Sequence, residues 1–217
     1  MKRKNNSNVS IIGDPDGPTS VFLVEKSDKG SLKDRADSYF YGKRRDRVAK
    51  TITPGAHSLE EVVSYLREQY GATEVSETSH QYIEQKKELK ESLIIQNRPD
   101  LLGDMAEIQP PEDMTEEAVK QMFKQIDERS RFIEAIPDEE MPMDYHVFKL
   151  RVGKGRMDIE IDFKWDILSC SYSGNKKEMK QLRDICREIY IYYGVTEYDI
   201  QNNTKRYSSL LTTLSSD

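Results

Sequence analysis

The strongest constraint on this chain is the alternation of apolar and polar residues from His146 to Ile167. His146, Phe148, Leu150 and Val152 fall on one side of a period of two, with Lys149 and Arg151 on the other. Gly153-Lys154-Gly155 then supplies a turn. Beyond it Met157, Ile159, Ile161, Phe163, Trp165 and Ile167 alternate with Asp158, Glu160, Asp162, Lys164 and Asp166. Such a pattern predicts an antiparallel sheet with one face in the core and the other in water. A third strand is expected over residues 169–173. An apolar sheet face needs a cover, so helices must pack on it.

Helical spacing supplies that cover. Ser58 and Glu61 form a capping box ahead of Leu59, Val62, Val63, Leu66 and Tyr70, and Gly71 is placed to stop the helix. A helix from Thr78 carries Tyr82, Ile83, Leu89, Leu93 and Ile94, and Arg98-Pro99 ends it. Thr115 opens another, with Val119, Met122, Phe123, Ile126, Ile133 and Ile136 on one side. Asn175 and Glu178 box a helix striped by Met179, Leu182, Ile185, Cys186, Ile189 and Tyr193, stopped by Gly194. Thr196 caps a last helix with Ile200, Tyr207, Leu210, Leu211 and Leu214. From Ser31 a weaker helix has a sparse stripe of Ala36, Tyr39, Phe40 and Val48, with Gly42 near its middle. The expected architecture is α+β: an N-terminal β-hairpin, about five helices and a C-terminal antiparallel sheet packed against helices. Gly103 and Pro110-Pro111 mark residues 99–114 as linker or loop between an N-terminal region, 1–98, and an α+β region, 115–217, unless the domain is continuous.

The hairpin is expected at the N-terminus, where Val9–Ile12 and Ser20–Val24 flank Gly13-Asp14-Pro15-Asp16-Gly17-Pro18-Thr19. Asp14 to Gly17 suits a type I turn, with Pro at the second position and Gly at the fourth. Residues 11–23 also resemble a motif of the β subunit of sodium-pumping decarboxylases, Ile-Ile-Gly-Gly-x-Asp-Gly-Pro-Thr. In that family the Asp belongs to a sodium path inside a bundle of membrane helices, and the matching residue here is Asp16. Asp14 stands where the family has its second glycine. The rest of the chain has no apolar run near the roughly 20 residues a membrane helix needs. The resemblance therefore implies a shared loop rather than a shared pump.

Bulk properties narrow the function classes. A net charge of -6 argues against broad nucleic-acid binding, although a local basic patch remains open. Cys170 and Cys186 are too few for a disulfide framework, which points to a reducing, cytoplasmic setting. The basic start, Met1-Lys-Arg-Lys, is followed by an apolar run too short for a secretion signal. No nucleotide-binding or nucleophile-elbow fingerprint appears, so no cofactor is expected.

Several groups have both a chemical and a plain reading. Lys43, Arg44, Arg45, Arg47 and Lys50 follow Tyr39 and Tyr41. They form a surface for phosphate or an acidic partner, or else a solvated helix face. Asp158, Glu160, Asp162 and Asp166 lie about 6.5–7 Å apart along one strand. That spreads carboxylates instead of converging them on a cation, so Lys149 and Arg151 are expected as partners and no metal site is expected. His57, His80 and His146 have no zinc-ligand spacing, and His146 is expected half-buried and hydrogen-bonded. Gly153-Lys154-Gly155-Arg156 is a basic tip that could meet an anion or be a turn. Tyr190, Tyr192, Tyr193, Tyr198 and Tyr207 suit a contact surface or a core equally.

The expectation is a non-enzymatic bacterial interaction or regulatory module with a protein partner. Its recognition loop is Gly13, Asp14, Asp16, Gly17, Pro18 and Thr19. The alternatives are a soluble cation- or small-ligand-binding protein or enzyme that uses Asp14 and Asp16, and an accessory protein of a sodium-pumping decarboxylase complex.

Overall fold

The computed structural model describes residues 32–109, 111, 113 and 115–216. The N-terminal hairpin and its loop lie outside these residues. The described chain is α+β and divides into two compact units, Thr78–Met143 and Ser31–Glu77 with Asp144–Asp217. The division thus does not follow the expected 99–114 connector. The smaller unit is an insertion in the larger.

The larger unit contains α1 (Leu32–Ala49), β1 (Gly55–Ala56), α2 (Leu59–Tyr70) and β2 (Thr73–Glu74). After the insertion it resumes with β3 (Tyr145–Val152), β4 (Gly155–Asp162), β5 (Ile167–Ser173), α5 (Lys176–Tyr193), β6 (Gly194–Val195), α6 (Glu197–Asn202) and α7 (Lys205–Ser215). The sheet is antiparallel in the order β2-β3-β4-β5. Phe148 pairs with Ile159 and Leu150 with Met157, which puts the alternating residues on one face as their spacing demands. That face is covered by Leu59, Val62, Val63 and Leu66 of α2 and by Leu182, Cys186, Ile189, Tyr190 and Tyr193 of α5. The other face was expected to be wet, but Tyr145, Val147, Asp158 and Asp162 are buried on it, and Arg151 and Arg156 near its end are exposed.

β4 ends earlier than its alternation predicts. Asp162 accepts from the amides of Lys164 (2.9 Å), Trp165 (2.9 Å) and Asp144 (3.1 Å), folding residues 163–166 into a turn. Phe163 and Trp165 therefore leave the strand, and β5 begins at Ile167. The capping boxes at Ser58/Glu61 and Asn175/Glu178 form as expected. The last predicted helix is two, because Asn203 adopts a positive φ of 48° and Thr204 caps a new helix.

Residues 53–57 contain β1, which pairs with β6. Gly194 makes this possible. Its φ is +60°, and a Cβ there would lie 1.8 Å from the Gly55 carbonyl oxygen. Arg206 secures the closure, donating to the carbonyls of Gly194 (2.9 Å), His57 (2.7 Å) and Tyr193 (2.6 Å). Its guanidinium also lies over the Tyr193 ring, 3.5 Å from the centroid.

The inserted unit consists of α3 (His80–Asn97), a 3-10 segment (Pro99–Met105) kinked at Gly103, and α4 (Glu116–Glu134), packed on one another. Ser79 caps α3, one residue beyond the expected start. Lys90 is buried and donates to the Ile136 carbonyl (2.7 Å) and to Asp138 (2.8 Å) just beyond α4. Lys87 pairs with Glu134, and Ser130 donates to Glu91 at 2.9 Å. Residues 78–143 carry 16 Asp and Glu against 8 Lys and Arg, so this unit holds more negative charge than the whole chain's -6.

Candidate functional site

The largest cluster of exposed apolar side chains described on one turn is on α1. Its last turn is anchored: Val48 and Ala49, with Ile52 just beyond, pack against the core, and Arg44 donates to the Ser215 carbonyl on α7 at 3.3 Å. One turn earlier the helix bears Tyr39, Phe40 and Tyr41, which are 57%, 65% and 40% exposed. Tyr39 and Phe40 were expected to face the core with Val48; the helix instead points them into water. The Tyr39 and Phe40 rings meet edge to face at 5.8 Å, and the Lys43 ammonium lies 4.7 Å from the Tyr39 centroid.

The basic run lies on the same element as far as Arg47, with Lys50 just beyond its end. Lys43, Arg44, Arg47 and Lys50 are exposed and Arg45 is half-buried. Some of this charge has a structural use, since Arg47 in the last turn favours the helix dipole and Arg44 bonds α7. What remains is a short surface with aromatic rings at one end and cations at the other. Gly42 lies within it without breaking the helix.

The other sequence candidates are occupied by the fold. Glu160 accepts from the Tyr145 hydroxyl at 2.7 Å and Asp166 from the Tyr193 hydroxyl at 2.8 Å. Lys149 stands opposite Asp158 in register, as expected, but Arg151 stands opposite Arg156. The anion at the 153–156 tip is the chain's own Glu178, which accepts from the Lys154 amide (2.8 Å) and the Asn175 amide (2.9 Å). Those backbone donors hold its carboxyl below the usual range. Cys186 is buried in the core, as its stripe predicts.

The tyrosine group splits in two. Tyr190, Tyr193 and Tyr207 are core, whereas Tyr198 is 68% exposed. Tyr192 is clasped between His57 and Tyr65, with ring centroids at 4.0 and 4.1 Å and nearly parallel planes. Next to this column the Tyr70 hydroxyl donates to Glu188 at 2.5 Å; burial and that carboxylate push the phenol well up. Sequence reasoning missed this column because His57, Tyr65 and Tyr192 come from three separate elements.

Gly13, Asp14, Asp16, Gly17, Pro18 and Thr19 lie outside the described residues. No family model matches the chain, and no curated protein or solved structure matches it significantly. Fold and surface together define an α+β chain with exposed aromatic and basic residues along α1. Among the described residues no helix is long and apolar enough to cross a membrane.

Proposed function

We propose that this chain is a non-enzymatic interaction module that docks an acidic protein surface on the exposed face of α1. The observation that carries this reading is the position of Tyr39, Phe40 and Tyr41 in water, with Lys43 over the Tyr39 ring and exposed Arg47 and Lys50 further along the chain. Exposed aromatic rings cost hydration that a monomer has no reason to bear; aromatic residues and Arg are enriched in interfaces, while lysines suit the polar rim. Neighbouring cations select a partner of opposite sign and speed its approach. The loop 13–19 is the second recognition element, since its density of Gly, Pro and Asp exceeds what one turn requires.

Affinity capture with the wild type, with Tyr39→Ala/Phe40→Ala and with a chain lacking residues 1–30 tests both elements. The acidic proteins recovered by the wild type should be lost with the α1 variant, while its melting curve stays unchanged. Loss with the truncated chain assigns the loop a share. If both changed chains recover what the wild type recovers, the reading fails.

A further inference from the structure

Helices 78–143 are inserted between two neighbouring strands of the sheet, β2 and β3. The chain leaves through Glu74 and Val75 and returns through Asp144. β2 pairs only through Thr73↔Lys149 and Glu74↔Phe148, with one more bond from the Val75 amide to the Val147 carbonyl at 2.8 Å. A two-residue edge ladder is too short to hold itself.

His146 sits at this junction. Its Nδ1 is 2.6 Å from the Glu74 carboxylate and its Nε2 is 3.3 Å from the Asp144 carboxylate. Glu74 belongs to the outgoing strand and Asp144 to the returning segment, so one imidazole bridges both. We propose that His146 is a proton-operated latch that holds β2 against β3 where the chain passes to and from the inserted helices.

The chemistry follows from donor counts. Ionised carboxylates only accept, and both imidazole nitrogens donate only in the charged ring. A neutral ring turns one lone pair toward a carboxylate and loses that bond. The other groups around it fix the geometry. Arg67 of α2 binds the second oxygen of Glu74 at 2.7 Å, and Asp162 of β4 accepts the Asp144 amide. Ile161 lies opposite His146 in register, and the Phe163 ring meets it edge-on at 5.2 Å. The side chain is 26% exposed, so protons reach it from solvent.

Burial pulls the His146 imidazole down, but Glu74 and Asp144 together outweigh that and raise it above the ordinary histidine value. A raised value in the folded state fixes the direction. The latch is fully closed below the ordinary histidine pKa, and its contribution is lost as pH rises through the raised value.

Hydrogen exchange at the Val75 amide reads the latch directly, with β4 and β5 amides as internal reference. After correction for intrinsic exchange, Val75 protection should fall roughly two- to fivefold between pH 6 and pH 9, as for partly screened ion pairs. The reference amides should hold. In His146→Gln, which keeps a polar side chain but cannot titrate, Val75 protection should be low and the same at both values. The latch is overturned if wild-type protection is independent of pH, or if the glutamine variant keeps the wild-type pH dependence.

Discussion

Gly194 and Lys90 each close one unit of this molecule, and they do so by opposite means. At Gly194 two backbones touch, and the absence of a side chain is what lets β6 reach β1. Around that contact lie buried aliphatic and aromatic side chains and the three carbonyls gathered by Arg206. At Lys90 a charged side chain crosses from α3 to the end of α4, accompanied by Lys87–Glu134 and Ser130–Glu91. Away from the His146 latch, the closure of the larger unit is specified by shape, which does not tolerate added volume. The inserted unit relies more on charge, which tolerates volume better but answers to ionic strength.

Gly194→Ala should therefore have the largest effect. The added Cβ meets the Gly55 carbonyl in a backbone region that side chains rarely adopt. A loss of about 4 kcal/mol is expected from strain and overpacking together. For a chain of this size that lowers the melting temperature by roughly 8–16 °C. Hydrogen exchange sharpens the comparison: protection should fall in β1, α5, β6 and α7 before it falls in α3 and α4. Equal losses throughout would show that shape and charge are not divided between the units.

Lys90→Met should act on the inserted unit alone. It removes one bond to the Ile136 carbonyl and one to Asp138, which is 70% exposed and contributes little through charge. A loss of about 1 kcal/mol is expected, seen as faster exchange in α3 and α4. The difference between variant and wild type should narrow near 1 M salt, where the ion pair is screened. A loss that salt leaves unchanged would mean that Lys90 acts by packing its aliphatic stem.

Much of the fold could be read from the sequence wherever one element carries its own signal. Ser58 with Glu61, Asn175 with Glu178 and Gly71 mark helix ends by local bonding, and the β3–β4 hairpin follows from its alternation. What stayed hidden depends on residues far apart in the chain. The pairing of β2 with β3 skips the whole insertion, and alternation says nothing of what buries Tyr145 and Val147 on the second face. The turn after Asp162 interrupts an alternation that continues through Trp165, because one carboxylate captures three amides. Gly194 reads as a helix stop, and its close approach to Gly55 leaves no local trace. The basic run on α1 was visible, but Tyr39 and Phe40 read as core. Only the packing of α1 on α7 turns them outward.

The smallest effect on stability, and the largest on function, is expected on α1. A photo-cross-linking amino acid at position 40 in living cells, compared with the same residue at the comparably exposed Ile191, reads docking on α1. A discrete adduct with an acidic protein is expected from position 40, none from position 191, and its loss is expected when Lys43, Arg47 and Lys50 are changed to Glu. No adduct from position 40, or the same adducts from both positions, would contradict docking there.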